Sequence, residues 1–230
     1  MKPVDIGAGT PAVFLHAGTG NSRMWEHQIP AFTAAGFRFI AYDRGGQAPA
    51  AEELEALVAQ LALERFHLVG TAAGGIAAID YALSNAARLR SLVIANSIFG
   101  VQDAEYLELS RRLRPSPEFG ALPPEVRELG PSYRAANAEG TRRWSELASH
   151  LKGQPVRNRI TFAALGALRV PTLLLTGDAD LYTPPSVLRL FTSRFPNCES
   201  FVVPECGHSA YWEQPDTFNR VILEFIRKQK

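Results

Sequence analysis

Six short apolar runs constrain any fold this chain can adopt. They are Ala12 to Leu15, Phe37 to Tyr42, Phe66 to Val69, Ser91 to Ala95, Thr172 to Thr176 and Ser200 to Val203. Rich in Val, Ile, Leu and Phe, they do not alternate strictly with polar residues, as expected of strands covered on both faces. Helical patterns lie between them. Ala51 to Leu63 carries Leu54, Leu57, Val58 and Leu61 at helical spacing, with acidic residues in its first turn. Ile76 to Leu83, Ser186 to Phe195 and Pro215 to Arg227 read as further helices, Pro215 suiting a first turn. Alternating strands and helices predict an α/β fold built on a doubly wound, mostly parallel sheet.

The alternation breaks between Gly100 and Leu168, where short helical stretches are divided by Pro-rich and Gly-rich turns. The expected organisation is a core from residues 1–99 and 169–230, with residues 100–168 as a helical lid. The insertion enters just after a strand's carboxyl end, where open α/β sheets bind ligands.

With 230 residues and a formal net charge of +1, the chain shows no basic stripe or acidic tail. Nucleic acid and an anionic membrane surface are therefore not expected partners. No apolar run is long enough to span a bilayer, and Met1 to Asp5 lacks the apolar stretch of a signal peptide. Two cysteines, Cys198 and Cys206, are too few for a disulfide framework and read as free thiols. A cytoplasmic protein is expected. Neither a metal nor an organic cofactor is expected. The five histidines lack metal-cluster spacing, and Gly7-Ala8-Gly9 runs into Thr10-Pro11 rather than a helix.

The chemistry concentrates at strand ends. Phe66 to Gly70 is a strand, Thr71 to Gly75 a small-residue turn, and a helix follows, the setting of a nucleophile elbow, G-x-S-x-G. In Gly70-Thr71-Ala72-Ala73-Gly74, Ala72 stands where the serine would be. After another strand comes His16-Ala17-Gly18-Thr19-Gly20, whose small residues let backbone N–H groups approach a substrate closely. The Gly18 and Ala73 amides are the expected oxyanion donors. Gly177-Asp178-Ala179-Asp180 ends a strand in carboxylates; Asp180 is chosen to orient an imidazole, and Asp178 is read as a turn former. Cys206-Gly207-His208-Ser209 follows the last strand and offers His208 as general base. His16 is read as structural in its turn.

The order elbow, Asp, His is that of the α/β-hydrolase superfamily, and the chain resembles it. The resemblance rests on His16-Ala17-Gly18-Thr19-Gly20, on Tyr42-Asp43-Arg44-Gly45, on the elbow, on Gly177 to Asp180, and on Gly207-His208 with Trp212-Glu213-Gln214-Pro215. These matches span nearly the whole chain outside the lid. Ala17 departs from the usual glycine, the loop through Asp43-Arg44-Gly45-Gly46 is short, and Ala72 removes the nucleophile. The turn around Ala72 is otherwise intact, so Ala72 reads as a Ser-to-Ala replacement; a natural alanine is the alternative.

The resemblance implies hydrolysis of a small carboxylic ester or lactone by a Ser-His-Asp mechanism, disarmed here at position 72. A close alternative is C–C bond hydrolysis of vinylogous diketones, though Ser209 stands where that branch usually carries Trp. Beyond hydrolysis, a lyase or oxygenase using His208 and Asp180, or a ligand-binding protein, keeps the same scaffold. The expected partner is an apolar or aromatic small molecule in a pocket lined by Met24, Trp25, Phe99, Tyr133 and Trp144, with Tyr106 and Phe119 among the other lid aromatics. Lid arginines, among them Arg111 and Arg143, are read chiefly as a solvated face. Self-association is left open.

Overall fold

A computed structural model describes residues 2–45, 47–113, 116–151 and 153–229, so Gly46 of the short loop lies outside the described residues. Seven strands form one sheet: β1 (Val4–Ile6), β2 (Thr10–Leu15), β3 (Phe37–Ala41), β4 (Phe66–Thr71), β5 (Leu89–Ala95), β6 (Thr172–Gly177) and β7 (Cys198–Val203). Their spatial order is β1-β3-β2-β4-β5-β6-β7, and every pair is parallel except β1 with β3. The helices between them are α1 (Gln28–Ala34), α2 (Ala50–Gln60), α3 (Ala73–Asn85), α4 (Ala104–Leu113), α5 (Pro124–Glu128), α6 (Pro131–Ala136), α7 (Ala138–Leu147), α8 (Phe162–Ala167), α9 (Pro185–Thr192), α10 (Ala210–Glu213) and α11 (Pro215–Ile226).

Strand residues alternate between two cores, both shielded from water. Val13, Leu68 and Ile94 face a core shared with Leu54, Ile79 and Phe191 from α2, α3 and α9. Phe14, Val69 and Val93 face a core shared with Phe32, Phe218 and Ile222 from α1 and α11. Period-two geometry with apolar cover on each face is why the central runs are continuously apolar.

The edges depart from that pattern. The three-residue β1, with Asp5 paired to Arg38 at 2.7 Å, carries too few apolar residues to register as a run. At the other edge β7 is largely exposed on one side, not buried on both as its composition suggested. Helix α3 starts at Ala73, three residues earlier than expected, because Gly74 and Gly75 continue the helix despite low helix propensity. Helix α2 stops at Gln60, and Ala62 takes a left-handed conformation (φ 49°).

Helices α4 to α8 fill the gap between β5 and β6. Part of this segment is tied to the sheet. Trp144 of α7 is buried in the second core, and Trp212 Nε1 donates to Gly140 O at 3.1 Å. Ser149 N and Leu151 N donate to Thr19 O and Gly18 O at 3.0 and 2.8 Å. Among the described residues no helix is long and apolar enough to cross a membrane.

Candidate active site

The turn between β4 and α3 holds Ala72 at φ 49° and ψ −117°. An L-residue is strained there by about 1–3 kcal/mol, so neighbours must hold it. They do so from β5: Ala72 N donates to Ala95 O at 2.9 Å, and Ser97 Oγ donates to Ala72 O at 2.8 Å. Two glycines make the turn possible. A Cβ on Gly70 would collide with Gly74 O, and one on Gly74 would collide with Leu15 O. The same close approach draws the loop after β2 against the elbow, and a Cβ on Gly18 would lie 3.6 Å from that of Ala73. Neither the Gly18 nor the Ala73 amide donates to another described backbone group. The two N–H groups predicted as oxyanion donors thus lie on adjacent, unengaged backbone.

His16 braces this loop. Its Nδ1 lies 2.7 Å from Ala17 O, and its Nε2 accepts from Arg44 N at 3.0 Å, so Nδ1 carries the proton of a neutral ring. Burial, reinforced by the Arg44 charge, lowers its pKa to about 4. The Arg44 guanidinium donates to His16 O at 2.7 Å and to Gln154 at 3.0 Å.

Asp180 and His208 meet at the carboxyl edge of the sheet. His208 Nδ1 lies 2.9 and 2.8 Å from Asp180 Oδ1 and Oδ2. Asp180 Oδ1 accepts the amides of Tyr182 and Thr183 at 2.8 and 2.9 Å, and Oδ2 accepts Asn96 Nδ2 at 3.0 Å. Asn96, left-handed at the end of β5 (φ 48°), also donates to Gly207 O at 3.2 Å. Asp178 does something different: it accepts the amides of Glu205 and Cys206, each at 3.0 Å, and so fixes the loop leading to His208. The Glu213 carboxylate accepts from Gly207 N and Ser209 N on either side of His208, at 3.0 and 3.1 Å, and from Gly130 N at 2.7 Å. The Tyr182 ring lies 4.5 Å from that of His208.

Burial works against a charged His208, but the Asp180 and Glu128 charges and the Asp180 hydrogen bond outweigh it and raise its pKa to about 9. Asp180 is also opposed by burial, yet His208 and the donors around it hold its pKa below the usual value. A folded-state pKa above the unfolded value near 6.5 adds stability that is complete below about pH 6.5 and lost as pH rises through about 9. Urea denaturation should therefore show a declining unfolding free energy across that interval. The decline should shrink in His208→Gln; an equal decline in both would remove His208 as its cause.

A cavity of about 700 Å³ reaches the pair at Tyr182, a wall residue whose ring packs on His208. Its walls include Ile98, Tyr106, Phe119, Leu181, Tyr182 and Arg127. The pocket residues expected from sequence lie elsewhere. Met24, Trp25 and Trp144 are buried in the second core, with Tyr133 packed against it. Phe99 is in the first core, stacked on Phe191 with centroids 3.6 Å apart. Aromatic identity does not separate a core position from a cavity wall, and these five serve packing. Of the arginines, Arg143 pairs with Glu26, while Arg111 pairs with Glu108 and also lines the cavity. Asn96, Arg127, Glu128, Tyr182 and Glu213 were not singled out from sequence as site residues. Two of them had a signal: Tyr182 lies two residues after Asp180, and Glu213 lies in the Trp212-Glu213-Gln214-Pro215 segment that follows His208.

The family model described as the Alpha/beta hydrolase family matches residues 12–221. A 2-hydroxy-6-oxononadienedioate/2-hydroxy-6-oxononatrienedioate hydrolase from Comamonas testosteroni is 26% identical, over 96% of this chain and 89% of its own length. A 2-hydroxy-6-oxo-6-phenylhexa-2,4-dienoate hydrolase from Burkholderia cepacia is also 26% identical with the same coverage. Among solved structures, a thermophilic esterase from Thermogutta terrifontis superposes with a TM-score of 0.82 at 25% identity, covering 99% of this chain and 93% of that one. The enol-lactonase from Burkholderia xenovorans LB400 shares the fold at a TM-score of 0.78 and 17% identity, covering 98% and 96%. Family model, relatives and sheet topology agree that this chain belongs to the α/β-hydrolase family of enzymes.

Proposed function

We propose that this site binds a small, largely apolar carboxylic ester or lactone, and that it is a serine-hydrolase site with a methyl group at the nucleophile position. The observation that carries this reading is the Asp180–His208 pair, tied through Asn96 to the end of β5 that also pins the strained turn at Ala72. In the Ala72→Ser form, His208 takes the hydroxyl proton, Asp180 holds the imidazole tautomer, and the Gly18 and Ala73 amides stabilise the oxyanion. Ala72 removes the covalent step and leaves the binding surface. The apolar cavity suits a small carbonyl compound. Residues 100–168 act as its lid, contributing Tyr106, Phe119 and Arg127 to the walls.

A second reading, C–C bond hydrolysis of a vinylogous diketone, is favoured by the names of the curated relatives and by Arg127. The guanidinium of Arg127 lines the cavity and donates to the Tyr182 hydroxyl at 3.3 Å, with Nε unpartnered. A substrate carboxylate would match it. Arg127→Leu, made in the Ala72→Ser form, is expected to raise KM roughly tenfold or more for an acidic substrate and less for a neutral ester. Equal KM changes for both would count against the carboxylate. The deciding assay compares the chain and its Ala72→Ser form on aryl esters, lactones and a vinylogous diketone; the bond cleaved fastest names the activity.

A further inference from the structure

The Asp180 hydrogen bond does not by itself fix the His208 imidazole. Both carboxylate oxygens lie on the same ring atom, Nδ1, at 2.9 and 2.8 Å. The covalent bond at Cγ and the hydrogen bond at Nδ1 are neighbours on the ring, so the ring can still rock about the line through them. Nε2 is the corner opposite that line and moves furthest. Nε2 is also the nitrogen left to take a proton from a nucleophile.

Tyr182 meets the ring from another side. The two ring centroids are 4.5 Å apart with planes at 46°. Centroids that close exclude a contact between edges alone, so one ring overlies a face of the other and blocks its rocking. The phenol arrives on the same turn as the acid. The Tyr182 and Thr183 amides donate to Asp180 Oδ1 at 2.8 and 2.9 Å. That turn is anchored on β6, where the Thr176 hydroxyl lies within hydrogen-bonding distance of Thr183 O and, at 3.1 Å, of Asp180 Oδ2.

The phenol is itself held from the segment between β5 and β6. Phe119 meets it edge to face with centroids 5.3 Å apart, and Arg127 Nη1 donates to its hydroxyl at 3.3 Å. Phe119, Arg127 and Tyr182 all line the cavity. The wall of the cavity and the support of the imidazole are therefore one set of side chains.

We propose that Tyr182 is a positioning residue for hydrolysis: its ring, buttressed by Phe119 and Arg127, fixes the plane of the His208 imidazole and so the place of Nε2. The inference rests on the serine-hydrolase reading above for what Nε2 does. Asp180 then sets the tautomer and Tyr182 the plane. The magnitude follows from geometry, because a misplacement of about 1 Å at a reacting atom costs on the order of a hundredfold. A side chain that only walls the cavity would act on substrate fit instead.

The test has two arms. The first is steady-state hydrolysis of para-nitrophenyl acetate and hexanoate in the Ala72→Ser form, with Tyr182→Leu or Tyr182→Phe added. Tyr182→Leu is expected to lower kcat about tenfold or more on both esters alike, because the base and not the fit is disturbed. Tyr182→Phe keeps the ring, loses the Arg127 bond, and is expected to recover most of that loss. A rise in KM alone, larger for the hexanoate, is the mark of a wall and overturns the proposal. The second arm is a crystal structure of Tyr182→Leu in the otherwise unaltered chain. There the imidazole is expected to leave its place or to split between two; an imidazole unmoved against Asp180 overturns the proposal whatever the kinetics. Where Tyr182→Leu fails to fold, Phe119→Leu replaces it. Phe119 is half-buried, and its loss removes only the buttress. It is expected to lower kcat on the acetate on the order of threefold, and an unchanged kcat overturns the proposal. An Ala72→Ser form inert on both esters removes the ester reading, while the crystal structure still decides Tyr182. An active form indifferent to Tyr182→Leu removes Tyr182 and leaves the ester reading standing.

Discussion

Ala72→Ser is expected to raise hydrolysis of aryl esters or lactones by on the order of 10⁴-fold and to introduce a burst of acyl-enzyme. The size follows from what the scaffold already holds. The turn keeps residue 72 at φ 49° with its backbone pinned to β5, so a serine inherits the geometry without having to create it. Residue 72 is half-buried, which leaves room for one added oxygen. His208 is already oriented by Asp180, and the two candidate oxyanion amides are unengaged. Removing a nucleophile from a complete triad typically leaves a residual rate set by the oxyanion hole and binding alone, and restoring it recovers the difference. The rate should climb with pH through about 9, because the serine needs a neutral His208. An Ala72→Ser form no faster than its parent, and without a burst, would sink the serine reading. His208-dependent lyase chemistry or simple ligand binding would then be the readings to pursue.

The sheet was legible because burial on both faces leaves a mark in composition. A strand such as Leu173 to Leu175 must be apolar at every position when each face meets a core. The two edges were harder, since β1 is three residues long and β7 is half exposed. Gly74 and Gly75 hid the start of α3 because their reason is a close approach to Leu15 O and Ser97, contacts with no local signature. At the site, motif order alone brings Asp180 and His208 to one edge, and turn chemistry separates Asp178, which binds the loop amides, from Asp180. The pocket was not legible. Trp25, Phe99 and Trp144 have the composition of cavity walls, yet each fills a core. Glu128 was hidden for the opposite reason: it looks like an ordinary helix-surface acid, and only the docking of α5 against the His208 loop buries it, whereas Glu213 lay inside a quoted motif whose role, binding the amides around His208, only the structure shows.

Asp180→Asn in the Ala72→Ser background is expected to cost about 10⁴ in kcat at neutral pH. The local hydrogen bonds dictate why an isosteric change does so much. Oδ1 receives two backbone amides, from Tyr182 and Thr183, so the asparagine oxygen stays there. Its NH₂ group must then occupy the Oδ2 position, facing Asn96 Nδ2 and His208 Nδ1. There donor meets donor, and the Oδ1 oxygen, 2.9 Å from Nδ1, is already taken by two amides, so His208 is expected to switch tautomer, with Nδ1 accepting and Nε2 carrying the proton. In that tautomer the ring cannot take the proton of the introduced serine, and no carboxylate remains to stabilise an imidazolium. The same change should flatten the pH dependence of stability at both ends. The lowered pKa of Asp180 adds stability that is present above about 3.8 and lost as pH falls through the folded value. The raised pKa of His208 adds stability that is lost as pH rises through about 9. Asparagine removes the first effect and the largest support of the second. Denaturation curves from acid to alkaline pH, measured beside kcat, test both consequences in one variant. A kcat within about tenfold of the parent would show that Asp180 does not set the His208 tautomer.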